Sequence, residues 1–182
     1  GSYGGLNLGD EAILEGIVTE LRRALPVEIT AFSRIPEDTL ARHRVERAAP
    51  VREMSRDEVI PEIERLDLFI LGGGGILFDA EAHLYLREVA LAQERQIPVM
   101  VYAVSAGPLH DPVAQKLTQT CLSRAAAVTV RERKALQVLE EIGVNFVENP
   151  AALERWRQAG ADVQGERVHI PRGLARKLCS TA

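Results

Sequence analysis

Four short segments hold the residues whose types and spacing suit work on an anionic or hydroxylated ligand. The first is Gly1-Ser2-Tyr3-Gly4-Gly5-Leu6-Asn7-Leu8-Gly9-Asp10-Glu11, which runs directly into an apolar pattern of helical spacing. Glycines let a backbone approach a ligand and adopt positive φ, and amides at a helix start point into the space so created. The usual phosphate cradles are absent, because there is no Gly-x-Gly-x-x-Gly register and no lysine in a P-loop position. Asp10 and Glu11 in the first turn already satisfy the helix dipole and would repel a pyrophosphate. In the plainest reading Asp10 caps the helix. Capping leaves the many glycines, with Tyr3 and Asn7 beside them, unaccounted for, and a functional loop is expected.

The second segment, Leu71-Gly72-Gly73-Gly74-Gly75-Ile76-Leu77-Phe78-Asp79, places four glycines directly after an apolar run. Gly73 and Gly74 lie at its centre. With no side chains in the way, a ligand or a neighbouring loop can approach the backbone closely. The third, Tyr102-Ala103-Val104-Ser105-Ala106-Gly107-Pro108, ends another apolar run in small residues. Ser105 offers a hydroxyl to an anion or, equally well, to its own turn. The fourth is Val128-Thr129-Val130-Arg131-Glu132. A guanidinium at Arg131 can grip a carboxylate or phosphate with two parallel hydrogen bonds. The competing reading of Arg131 is a surface ion pair with Glu132 or another carboxylate. His83 and His110 border these segments without forming a triad or a metal-ligand spacing, and both are expected to be surface or partly buried residues rather than catalysts.

Elements that could position these segments alternate along the chain. Val27 to Phe32, Leu68 to Leu71, Val99 to Val104 and Ala126 to Val130 read as strands, and their continuous apolar character suits a parallel sheet covered on both faces. Helices are expected around Ile13 to Leu21, Asp57 to Leu66, Glu81 to Arg95, Pro112 to Ser123 and Glu132 to Ile142. Residues 34–56 read as a connection with a short strand near Ala49 to Val51. Such alternation specifies an α/β fold, a doubly wound, mostly parallel, Rossmann-like sheet, whose ligands bind at the C-terminal ends of the strands. The second, third and fourth segments sit at such ends. Residues 1–153 are expected to form this domain and 154–182 a tail with one helix around Ala151 to Ala159.

Composition narrows the function. The chain has 182 residues, 46% hydrophobic and 26% charged, as in a soluble globular domain with a core of its own. A formal charge of −4 offers no basic face for nucleic acid. The tail carries six Lys/Arg against three Asp/Glu. The longest apolar stretches of the chain are strand-sized and no secretory signal opens it, so a cytoplasmic location is expected. Cys121 and Cys179 are expected to be reduced thiols.

Taken in order, the segments resemble the polysaccharide pyruvyl transferase family, especially its bacterial cell-wall branch. The shared features are Asn7-Leu8-Gly9-Asp10-Glu11 after a glycine/tyrosine loop, an aspartate-led strand running from Asp67 into the glycines, and a strand closed by Gly107-Pro108. Val130-Arg131-Glu132 at a helix start and Leu139 to Val144 at its end complete the set. The resemblance covers roughly residues 1–153. Departures are Ser2 and Gly5, where the family often has aromatics, and Asn149-Pro150-Ala151 in place of Asp-Pro-Ala.

The resemblance implies a two-domain, glycosyltransferase-like architecture of which this chain is the N-terminal half. It also implies an apolar strand just ahead of the first glycine loop, so the chain is expected to be a partial record. The implied reaction moves a pyruvyl group from phosphoenolpyruvate to two hydroxyls of a sugar, free or lipid-linked, as a ketal in cell-wall or exopolysaccharide synthesis. In that frame Arg131, Ser105, Gly73 and Gly74 are candidates for the donor, and Tyr3, Asn7 and Asp10 for the acceptor sugar. No metal or other cofactor is implied, the general acid and base are not identified, and assembly as a homo-oligomer is compatible with the reading. Two alternatives stay open: a non-catalytic sugar-binding or assembly module, and a nucleotide-sugar transferase on the same fold.

Overall fold

A computed structural model describes residues 2–131, 144–145, 150–165, 167–169 and 171. The expected helix at Glu132 to Ile142 lies outside these residues. In chain order the elements are α1 (Leu8–Ala24), β1 (Thr30–Phe32), α2 (Pro36–Arg42), β2 (Arg47–Ala49), α3 (Arg56–Ile63), β3 (Phe69–Leu77) and α4 (Ala82–Glu94). They continue with β4 (Val99–Ala106), α5 (Pro112–Ser123), β5 (Ala127–Val130), β6 (Val144–Asn145), α6 (Pro150–Gln158), β7 (Asp162–Gln164) and β8 (Arg167–His169).

Strand β3 pairs in parallel with β4, and β4 with β5; β1 pairs in parallel with β2. The main core lies between β3–β4 and the helices α3, α4 and α5, with Val59, Ile63, Leu86, Val89, Val99 and Val101 fully buried. Helix α1 covers a smaller core, its Leu14 and Val18 one turn apart and packed with Ala31 and Val45. This is the doubly wound α/β arrangement that the alternation of elements specifies.

Three expectations are corrected. The glycine run, expected to follow the strand at Leu68 to Leu71, lies within it: β3 continues through the glycines, Gly72 pairing with Tyr102, Gly74 with Val104 and Gly75 with Ser105. The ladder needs only backbone groups, which glycine supplies as well as any residue. Residues 36–42 form helix α2, signalled by Pro36 at the first position and by Glu37 and Asp38 in the first turn. Beyond α6 the tail holds β7, which pairs antiparallel with β8, and β6 joins the other edge of β8.

Between β1 and β3 runs a slot of about 570 Å³, lined by residues 28–34 on one side, 65–72 on the other, and Leu14, Ile17 and Val18 of α1. No described strand pairs with the β1 or β3 edge that borders it.

Strand β4 is irregular between Val101 and Val104, where its register against β5 shifts and Ala103 takes φ 51°. The Ala103 amide donates instead to Thr129 Oγ1 at 2.8 Å, so a side chain completes the ladder at the bulge. Thr129→Val keeps the shape and removes that acceptor. The expected result is a loss of about 1 kcal/mol in urea unfolding, with an unchanged slope.

Candidate active site

The parallel register aligns the strand ends. Gly74, Val104 and Val130 lie in one row across β3, β4 and β5, and the Arg131 amide donates to the Val104 carbonyl at 2.9 Å. Gly75 pairs with Ser105 in the next row. The glycine run, Ser105 and Arg131 therefore share the C-terminal edge of the sheet. Arg131 is exposed there, and Ser105 is buried. Of the glycines, Gly72, Gly73 and Gly74 are buried, and a β-carbon on Gly73 would lie 2.9 Å from the Ala103 carbonyl oxygen. Gly75 is the exposed one, with open space above it. The accessible backbone in this run is thus at Gly75, which sequence reasoning did not single out. Strand pairing through the glycines is the signal that places it opposite Ser105.

Helix α1 carries the first loop onto the same edge. Asn7, not Asp10, caps the helix: its Oδ1 accepts from the Gly9 amide at 3.0 Å. Asp10 is the third residue of α1 and reaches β3, where a β-carbon on Gly74 would sit 3.1 Å from Asp10 Oδ1. Gly74 holds φ 109°, which only glycine adopts without strain. Asn7 is exposed. Tyr3 points inward, its hydroxyl buried against Gly72 with no hydrogen-bond partner. Burial first, then the Asp10 and Glu11 charges, pushes the phenol well above its ordinary value, so it stays protonated.

The loop between them is clamped from two sides. The Gly4 amide donates to Glu11 Oε1 at 2.8 Å, and the Arg34 amide donates to the Tyr3 carbonyl at 2.9 Å. Gly4 has φ 67°, and a β-carbon there would come within 2.2 Å of Ser33 Oγ and 2.7 Å of the Ile35 nitrogen. Gly4→Ala is expected to cost on the order of 2–3 kcal/mol in denaturant unfolding, because positive φ and a backbone collision act together.

Asp79 was not read as functional from sequence. Its carboxylate accepts from the amides of His110 and Asp111, tying the turn after β3 to the loop after β4 on this same edge. Those amides, Asp111 first and His110 next, hold it below the usual carboxylate range. The side chains of His83 and His110 take no part in this cluster: both residues are exposed, and His110 contributes its backbone. His43, absent from the sequence reading, is buried beneath the first loop, with Nε2 2.8 Å from Glu11 Oε2 and Nδ1 2.9 Å from Glu15 Oε2. Long-range pairing of this kind leaves no trace in spacing. Cys121 is buried and its thiol is pushed up to about 11 by that burial, which makes it no nucleophile. Among the described residues no helix is long and apolar enough to cross a membrane.

No curated protein and no solved structure matches the chain significantly. The family model for polysaccharide pyruvyl transferase matches residues 7–150, a span that holds Asn7, Asp10, the glycine run, Ser105 and Arg131. An α/β fold that gathers these segments at one sheet edge, under a family match over most of its length, belongs to the polysaccharide pyruvyl transferase family.

Proposed function

We propose that the chain is the N-terminal α/β half of a transferase that moves a pyruvyl group from phosphoenolpyruvate to a sugar unit as a ketal. The observation that carries this reading is the convergence of Gly75, Ser105 and Arg131 with Asn7 and Asp10 at the head of α1, on the C-terminal edge of one parallel sheet, inside the span that matches the family. Such an edge is where open α/β sheets bind their ligands.

In the proposed reaction the enol carbon of the donor takes a proton and becomes the methyl group of the ketal. One sugar hydroxyl bonds to the adjacent carbon, phosphate leaves with its bridging oxygen, and the second hydroxyl closes the ketal. The two hydroxyls release two protons, one balanced by the proton added to carbon and one carried off on phosphate. Arg131 supplies a cation for the donor's carboxylate or phosphate, and Ser105 a hydroxyl beside the open backbone at Gly75. Gly73 and Gly74, themselves buried, let Ala103 and Asp10 approach closely behind that wall. Asn7 and Asp10 offer hydrogen-bond partners for acceptor hydroxyls. Tyr3 serves the acceptor side by packing their loop onto Gly72. The setting is cytoplasmic synthesis of a cell-wall or exopolysaccharide precursor.

The test is phosphate release from phosphoenolpyruvate by the full-length protein, with and without sugar acceptors, and mass spectrometry of the product. Acceptor-dependent release with a ketal product is expected. Consumption of a nucleotide sugar instead, or sugar binding without turnover of either donor, overturns the proposal.

A further inference from the structure

We infer that His43 is a positioning residue that sets the conformation of the first glycine loop through Glu11, and so the affinity for the acceptor. The inference rests on the reading of that loop as acceptor-binding, but its structural half stands apart from it.

The chain of contacts is short. Both ring nitrogens of His43 face carboxylate oxygens, Nε2 that of Glu11 at 2.8 Å and Nδ1 that of Glu15 at 2.9 Å. Against two ionised carboxylates each nitrogen donates, and the ring is an imidazolium. Glu11 then divides its two oxygens: Oε2 accepts from His43 and Oε1 accepts from the Gly4 amide at 2.8 Å. The His43 and Glu11 side chains are only 5% and 8% exposed. An ionised carboxylate that deep in the protein needs a cation, and His43 is the one it touches. Burial alone would pull the imidazolium down, but the hydrogen bonds and charges of Glu15 and Glu11 outweigh it and its pKa ends up raised.

His43 is itself fixed. It caps the end of α2, and its amide donates to the Thr39 carbonyl at 2.9 Å. Thr39 Oγ1 bonds Ser33 Oγ at 2.7 Å, the same hydroxyl that packs against Gly4. Helix α2 thus holds the loop through the Glu11 carboxylate and through Ser33. Glu11 is adjacent to Asp10 and within a turn of Asn7, so a shift of its carboxylate moves the loop at one end and the acceptor groups at the other. Among the described residues, the hydrogen bonds of His43, Glu11 and Thr39 stay with α1, α2, Ser33 and the first loop, so the effect is expected first on the acceptor side.

The experiment compares the full-length protein with His43→Leu and His43→Gln. In the wild type at neutral pH, nitrogen NMR is expected to show both ring nitrogens of His43 protonated and the Gly4 amide protected from exchange. His43→Leu removes both donors. Gly4 exchange should accelerate, and KM for the sugar should rise roughly tenfold or more, about the worth of one charge-assisted hydrogen bond. KM for phosphoenolpyruvate and kcat should stay within about twofold, a change well under 1 kcal/mol. In His43→Gln the amide can replace the donor to Glu11, so Gly4 protection and most of the sugar affinity should return. If His43→Leu does not fold, the wild-type nitrogen signature and the His43→Gln variant decide. A ring with one protonated nitrogen, a Gly4 amide that exchanges freely, or His43→Gln giving no protection overturns the inference. So does a loss shared equally by donor and acceptor. A wild type with no pyruvyl transfer sinks the functional reading instead, and the Gly4 exchange still tests His43.

Discussion

An extended apolar segment of five or six residues, fused directly ahead of Gly1, is expected to raise the melting temperature by about 10 °C or more. The slot between β1 and β3 is the reason. Its walls are two strand edges that no described strand pairs with, Thr30–Phe32 on one side and residues 69–71 on the other. The slot holds about 570 Å³, and Ser2 and Tyr3 line it, so a strand seated there would run straight into the glycine loop. Backbone groups left unpaired at a buried edge are costly, and a strand between two parallel neighbours satisfies both at once. Side-chain burial and the ordering of the segment nearly cancel. What remains is about 1 kcal/mol for each ladder hydrogen bond, several in all. At roughly 2–4 °C per kcal/mol for a chain of this size, the shift follows. The buried Tyr3 hydroxyl, which has no partner against Gly72, is a second reporter, since pairing of the β3 edge changes its surroundings and its fluorescence. Thermal unfolding of the fusion checks the expectation against a fusion of equal length made of glycine and serine. Equal shifts for both, or none for either, would show that the slot does not take a strand.

The fold was legible because its signals are local. Continuous runs such as Val99 to Val104 can hardly be anything but buried parallel strands, and Pro112 marks the start of α5 at its observed residue. What escaped was non-local or backbone-borne. Four glycines look like a loop, since nothing in their side chains says that they pair; their partners Tyr102 to Ser105 lie about thirty residues on. The register, once seen, moves the open backbone from Gly73 and Gly74 to Gly75. Helix α2 was missed because seven residues make too short a window for periodicity, although Pro36-Glu37-Asp38 carries the signature of a helix start. His43 was missed for a deeper reason. Its partners Glu11 and Glu15 lie 32 and 28 residues away, and a lone histidine between arginines gives no hint of two carboxylates. Asn7 and Asp10 were both singled out, but their local duties are exchanged: Asn7 makes the cap, and this frees Asp10 to reach toward Gly74.

Arg131→Ala is expected to weaken use of phosphoenolpyruvate far more than binding of the sugar. Arg131 is exposed just past the end of β5, and its amide is fixed to the Val104 carbonyl in the row that also contains Gly74. Its position is set by the sheet rather than by a flexible connection, so the guanidinium starts from the strand edge that the proposed donor site occupies. A doubly ionised donor in a closed cleft needs a fixed cation, and truncating one partner of a desolvated charge pair costs roughly 2–5 kcal/mol. That corresponds to a fall in kcat/KM for the donor of about thirtyfold to several thousandfold. Arg131→Lys should recover only part of it, because an ammonium is a point charge and cannot present the planar fork that matches a carboxylate or phosphate. Raising the salt should mimic the substitution weakly if the contact stays open to water and hardly at all if the cleft closes over it. Steady-state kinetics on the full-length enzyme, with each substrate varied in turn, separates the cases. A donor KM and kcat unchanged in Arg131→Ala would reduce this residue to an ordinary surface charge and move the search for the donor's cation elsewhere.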